Sequence, residues 1–233
     1  MNKSLEAIKI VMLVGKSQSG RIMYNALKDS FEIEAVIIEE KPSSLNLIKR
    51  RVTKIGLLKV IGQIMFVLFN RLFHSFSSVR INELIAKSGL NDKDIPKEVI
   101  RNVSSVNSKK SIDFLQKINP SIVIVNGTRI ISNRTLSSVR ATFLNTHMGI
   151  TPKYRGVHGG YWALVMNDVD NCGVTVHLVD SGIDTGGILF QDKISITKKD
   201  NINTYPILQL AKAVPLMKKA IIAVHEKNEV IKK

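Results

Sequence analysis

The chain has 233 residues, enough for one domain with a sizeable core and a small appendage. Hydrophobic residues make up 44% and charged residues 23%, a globular composition that excludes intrinsic disorder. Thirty-four Lys and Arg against 19 Asp and Glu give a net charge of +15, which draws anionic partners (nucleic acid, phosphorylated metabolites, acidic lipid) and equally serves solubility.

Met1–Lys9 is short and charged and opens into an apolar run of about seven residues, too brief for a secretory core. No signal peptide is expected. Ile8–Val14 has the unbroken hydrophobicity of a strand buried on both faces of a parallel sheet. The loop Gly15-Lys-Ser-Gln-Ser-Gly20 follows, and then Ile22, Met23, Ala26 and Leu27 recur at helical spacing. A second strand, Ile33–Ile38, ends in a charged turn at Glu39–Lys41. This β-loop-α-β opening predicts a doubly wound, mostly parallel α/β fold. The glycine loop is not a nucleotide-hydrolysing one, because Arg21-Ile22 stands where Lys-Ser/Thr is required. Its helix N-terminus could hold a phosphate or simply make a turn.

Leu45–Gly89 differs in character and is expected to be a helical insertion. A basic cluster, Lys49, Arg50, Arg51 and Lys54, leads into the apolar stretch Leu57–Phe73. Lys59 and Arg71 leave about eleven uninterrupted neutral residues, short of the roughly 18 needed to cross a membrane. A helix buried against the core or a second subunit is therefore expected, with a homodimer as one way to cover it. A basic helix on a membrane surface is the lesser alternative. Further strands are expected at Ile122–Val125, Thr142–Leu144, Val174–Val179 and Ile188–Ile196. A closing helix is expected over about Tyr205–Glu226, broken or kinked near Pro215. The single cysteine, Cys172, excludes an internal disulfide and a multi-cysteine zinc site, and fits a reducing, cytoplasmic setting.

The chemistry-bearing stretch is Phe143–Gln191. Asn145 and His147, at i and i+2 after a short strand, project to one side. That places a carboxamide donor and an imidazole in one cleft at the carboxyl end of the sheet. The pair suits oxyanion stabilisation and proton handling. Asp184, among Gly182, Gly186 and Gly187, can sit near the histidine, raise its pKa and orient its ring. Of the other histidines, His177 reads as a core or sheet-face residue and His158 as a cap or turn. His74 and His225 have no partner pattern.

Asn145-x-His147, then Pro152-x-x-x-Gly156, then Gly173-Val-Thr-Val-His177 and Asp180-Ser-Gly-Ile-Asp184-Thr-Gly186 resemble the folate-dependent formyltransferase family. The family includes the glycinamide ribonucleotide, methionyl-tRNA and sugar N-formyltransferases. The resemblance runs from about Ile118 to Gln191, weakens over the first strand and loop, and is absent across Leu45–Gly89. It implies a single Rossmann-type catalytic domain over residues 1–233 and direct attack of an unprotonated amine on N10-formyltetrahydrofolate. No metal is implied. By position, Asn145, His147 and Asp184 resemble the catalytic residues. Protonated His147 and Asn145 would stabilise the oxyanion, while Asp184 positions His147 and relays the amine proton. Gly127, Thr128, Arg129, Ile130 and Ile131 resemble the segment whose backbone binds the pterin, with Val179, Asp180 and Ile183 in the opposite wall.

The acceptor is less constrained. A methionyl-tRNA enzyme carries a sizeable C-terminal domain, whereas about forty residues follow Gln191, so tRNA is not the expected partner. The first loop lacks the Gly-x-Gly-Ser-Asn of glycinamide ribonucleotide enzymes, and Tyr154-Arg155-Gly156 resembles the tRNA and sugar branches. A nucleotide-linked amino sugar is the preferred acceptor, as in surface polysaccharide biosynthesis. Lys16, Ser17, Lys153, Tyr154 and Arg155 are its expected contacts. The other class of reading is a basic nucleic-acid- or membrane-binding protein with a degenerate transferase core. The presence of all three catalytic residue types argues against it.

Overall fold

A computed structural model describes residues 8–40 and 44–227; Met1–Ala7 of the opening segment and Lys41 of the charged turn lie outside them. Strands β1 (Ile10–Gly15), β2 (Ile33–Glu39), β3 (Ile100–Val103), β4 (Ile122–Asn126), β5 (Thr142–His147), β6 (Gly173–Leu178) and β7 (Ile188–Lys193) form one sheet. Its order is β3-β2-β1-β4-β5-β6-β7. The first five strands are parallel, and β6 and β7 add antiparallel.

Both faces of β1 are buried, as its unbroken hydrophobicity requires. Ile10, Met12 and Val14 pack on one side with Met23 and Leu27 of helix α1 (Gln18–Leu27) and with Met217 and Ile221 of the closing helix. Val11 and Leu13 pack on the other with Leu115, from the helix Lys109–Ile118. This is the doubly wound arrangement expected. Strand β3, four residues reading Ile-Arg-Asn-Val, was not anticipated. It is a short edge strand and carries too little hydrophobic pattern to stand out.

Between β2 and β3 the chain forms α2 (Ser44–Ile55) and the 31-residue α3 (Leu57–Lys87). Continuing in chain order, α4 is Lys109–Ile118, α5 Asn133–Leu136, α6 Gly159–Val165 and α7 Tyr205–His225. Within Leu57–Phe73 the expected burial against the core is met at Val60 alone, and α3 packs on the core only beyond that stretch, in its final third. Ile81 and Leu84 pack with Ile22, Ile207 and Leu210. Arg80 pairs with the buried Asp200, and Asn201 donates to Ser77. The stretch before this is open to solvent, with Leu58 84%, Leu72 69% and Phe76 81% exposed.

Helix α3 is also longer than the neutral run between Lys59 and Arg71 suggests. By length and composition α3 is apolar enough to cross a membrane, with an 18-residue window of mean hydropathy 1.3 of which 6% is buried. Two charges inside a 31-residue helix do not shorten it to the neutral run between them.

Helix α7 does not break at Pro215 but runs through it. Ala213, Leu216 and Met217 are buried on either side, so packing on the sheet keeps the helix continuous despite the lost backbone donor.

Candidate active site

The carboxyl ends of the parallel strands converge where the strand order reverses, between β1 and β4. There the two backbones nearly touch. A Cβ on Gly15 would lie 2.3 Å from the Gly127 carbonyl oxygen, and Gly127 adopts φ +67°, a conformation open to glycine. Ser17 caps α1 by accepting from the Gly20 N–H at 3.3 Å.

Strand β5 carries Asn145 and His147 toward a cleft of about 380 Å³, within the usual small-ligand range. All three expected catalytic residues line it, together with Gly127, Thr128, Arg129, Ile130 and Ile131 on one wall and Val179, Asp180 and Ile183 on the other. Gly127–Ile131 belongs to no helix or strand, so the sheet ladder does not consume its peptide groups. Ile130 and Ile183, 58% and 54% exposed, offer apolar surface from the two walls. Irregular backbone beside exposed apolar side chains suits a flat, hydrogen-bonding heterocycle.

Asp184 is the hub of the polar cluster. Its Oδ2 lies 3.2 Å from His147 Nδ1 and accepts from the Gly156 N–H at 2.9 Å. Its Oδ1 lies 3.4 Å from both Asn145 Nδ2 and His177 Nε2. Burial alone would raise the Asp184 pKa, but His177, His147 and the Gly156 amide together outweigh it and hold the carboxyl below its ordinary value.

His177 is buried on the face of β6, as its strand pattern predicts, and it also belongs to this cluster. It sits opposite Asn145 in the antiparallel β5–β6 register, with its Nε2 3.0 Å from Asn145 Nδ2. Its Nδ1, 2.6 Å from the Leu178 carbonyl, donates there, which turns Nε2 toward Asn145 and Asp184.

His147 is 6% exposed. Its Nε2 lies 2.6 Å from the Tyr154 carbonyl and donates to it, so both ring nitrogens face oxygen acceptors. The expected rise in its pKa is corrected. Burial pulls it below the ordinary histidine value, and the Asp184 charge and Tyr154 carbonyl only partly restore it. Desolvation of an almost fully enclosed imidazolium wins.

Loop 148–157 backs the histidine. A Cβ on Gly149 would come within 2.7 Å of His147 Nε2. Thr175 pins this loop from β6, donating to the Gly149 carbonyl at 2.7 Å and accepting from Gln191 Nε2 at 2.9 Å and the Thr151 N–H at 3.2 Å.

The expected acceptor contacts divide. Lys16 and Ser17 line a second cleft of about 500 Å³, with Glu39, Arg50 and Arg129. It shares Gly127, Thr128 and Arg129 with the first. Lys153 and Tyr154 line neither cleft. Both turn to Asp168, the tyrosine hydroxyl donating at 2.6 Å, and these partners with Asn171 hold the Asp168 carboxyl at about 2. Arg155 is exposed on the loop and lines neither cleft. His158, exposed at the N-cap of α6 with φ 62°, makes no side-chain cap bond. Among the described residues no group of three or more His, Cys, Asp or Glu could hold a metal ion.

Residues 78–214 match the family model described as formyl transferase. Methionyl-tRNA formyltransferase of Finegoldia magna is 38% identical over 93 residues, 40% of this chain and 30% of that protein. GDP-perosamine N-formyltransferase of Brucella melitensis is 28% identical over 120 residues, 51% of this chain and 46% of that protein. The chain thus covers less than half the length of these curated relatives. Among solved structures, glycinamide ribonucleotide transformylase 1 from Symbiobacterium toebii shares the fold with a TM-score of 0.63 at 17% identity, covering 99% of this chain and 92% of that one.

Proposed function

The chain belongs to the formyl transferase family, and from that premise we propose that it moves a formyl group from N10-formyltetrahydrofolate to the amine of a nucleotide-linked amino sugar. The observation that carries the reaction is the convergence of Asn145, His147 and Asp184 in one cleft between two irregular, partly apolar walls. We assign the folate to Gly127–Ile131 and Val179–Ile183, and the catalytic work to the single domain that holds them.

When bound, the folate supplies the formyl carbon as electrophile. Asn145 directs one Nδ2 proton at His177 and the other at Asp184 over 3.4 Å. The longer contact is the one that a formyl oxygen can replace, and donation there stabilises the charge that develops on it. His147 is neutral at rest, given the downward shift of its pKa. With Nε2–H held by Tyr154, the proton surrendered by the attacking amine arrives at Nδ1, facing Asp184 Oδ2. The imidazolium is then met by a carboxylate on one side and a carbonyl on the other, and its proton is available to the folate N10 as the bond from the formyl carbon to that nitrogen breaks. This replaces the expectation of a histidine protonated from the outset.

For the acceptor, the support is the adjoining cleft. Lys16 and Arg50 offer cations beside the Ser17-capped start of α1, a setting suited to a phosphorylated molecule, while Arg129 is paired with Glu39 at 2.6 Å and Glu40 also lines the cleft. The sugar N-formyltransferase relative adds to this reading. Transfer kinetics with a panel of acceptors test it. The highest kcat/KM is expected with a nucleoside-diphosphate amino sugar. Preference for glycinamide ribonucleotide or methionyl-tRNA would keep the reaction and change the acceptor. Absence of transfer to any amine, with salt-sensitive nucleic-acid binding instead, would favour a degenerate transferase core.

A further inference from the structure

The feature unused by the transfer reaction is the helical pair between β2 and β3. Over Leu57–Phe76 the large apolar residues other than Val60 are at least 41% exposed. At 3.6 residues per turn they cover roughly two thirds of the helix circumference. The remaining strip holds Lys59, Gln63, Asn70 and His74 and runs alongside α2, where Arg51 donates to Gln63 at 3.2 Å. A helix apolar over so much of its surface is normally surrounded, in a protein core or in lipid, rather than covered on one face.

The charge of the segment distinguishes these surroundings. From Ser44 to Val79 there are six cations, Lys49, Arg50, Arg51, Lys54, Lys59 and Arg71, and no Asp or Glu. Two copies packed through this segment would bring six positive charges against six. An anionic surface complements them.

Topology decides how such a surface could be met. Strands β2 and β3 pair in parallel, Val36 beside Ile100, so the chain leaves and re-enters the domain at the same sheet. The final turns of α3 are fixed to that domain through Ile81, Leu84 and the Arg80–Asp200 pair. Although α3 is long enough to span, a single crossing would strand β3 on the far side.

We propose that α2 and the exposed two thirds of α3 form a monotopic hairpin that seats in one leaflet of an anionic bilayer. The apolar arc enters the acyl boundary, and Lys49, Arg51 and Lys54 of α2 lie among lipid phosphates. Formyl transfer is not needed for this docking, so the two accounts fail separately.

Flotation of the purified full chain with vesicles tests the proposal. Vesicles of phosphatidylcholine plus phosphatidylglycerol should carry the protein at low salt, and phosphatidylcholine alone should carry on the order of tenfold less. Phe66→Asp with Leu68→Asp should abolish flotation while leaving the melting temperature and soluble turnover unchanged, because both side chains are already exposed. Lys49→Glu with Lys54→Glu should reduce binding to anionic vesicles to near the neutral-vesicle level. Wild-type protein that stays in the solvent with both lipids would overturn the proposal. So would a stable dimer that covers α3 and ignores vesicles, or unchanged flotation of either double variant.

Discussion

Each ring nitrogen of His147 meets an oxygen acceptor, so a neutral ring satisfies one contact and faces an acceptor with a lone pair at the other. Protonation would satisfy both, yet burial disfavours the charge and its effect is the larger. The consequence is a pH dependence of stability with a definite sign. A histidine whose folded pKa is depressed binds fewer protons than in the unfolded chain below the ordinary value of about 6.5. Its contribution is therefore intact above that pH and is lost as pH falls toward the folded value. Asp184, also depressed, adds stability that disappears only lower, below the usual carboxylate range. The melting temperature should fall between pH 7 and pH 5, and His147→Asn should flatten that fall. Equal slopes for variant and wild type would mean that His147 is not the group buried neutral.

At the scale of elements, β5 supplies the reacting side chains and β6 holds the loop behind them. Thr175 fills three hydrogen-bonding roles with a hydroxyl that is fully buried. Thr175→Val keeps the shape and strands those partners. A loss of roughly 1–3 kcal/mol in urea unfolding is expected, the cost of buried groups left unpaired. The loop also carries the Tyr154 carbonyl that holds His147, so kcat should drop with little change in folate affinity. Full stability and turnover would show the loop to be positioned otherwise. The legible parts of this region were those set by local pattern: the i, i+2 pair on β5 and the glycine-bracketed aspartate. His177 was not legible, because its place beside Asn145 depends on an antiparallel register between strands separated by a loop and α6. Lys153 and Tyr154 looked available because their partner, Asp168, reaches them only through the fold.

Across the whole molecule, the continuous apolar strands announced a sheet buried on both faces, and the opening β-loop-α-β unit announced its doubly wound class. The hydropathy of Leu57–Phe73 equally announced burial, but hydropathy does not say what covers a surface, and among the described residues α3 is covered at Val60 and over its last third. Local backbone rules predict a break or kink at Pro215, whereas long-range packing on the sheet carries α7 through without a break. These cases share a cause: contacts between distant segments override or complete the local signal. The central claim, that Asn145, His147 and Asp184 act together on a folate-borne formyl group, is tested most directly by single-turnover transfer to the preferred amine with saturating N10-formyltetrahydrofolate. Asn145→Ala, His147→Asn and Asp184→Asn should each fold and bind folate, and the first two should slow the transfer step by about 100-fold or more, the scale of losing an oxyanion donor. Near wild-type transfer rates in folded, folate-bound Asn145→Ala and His147→Asn would contradict the account.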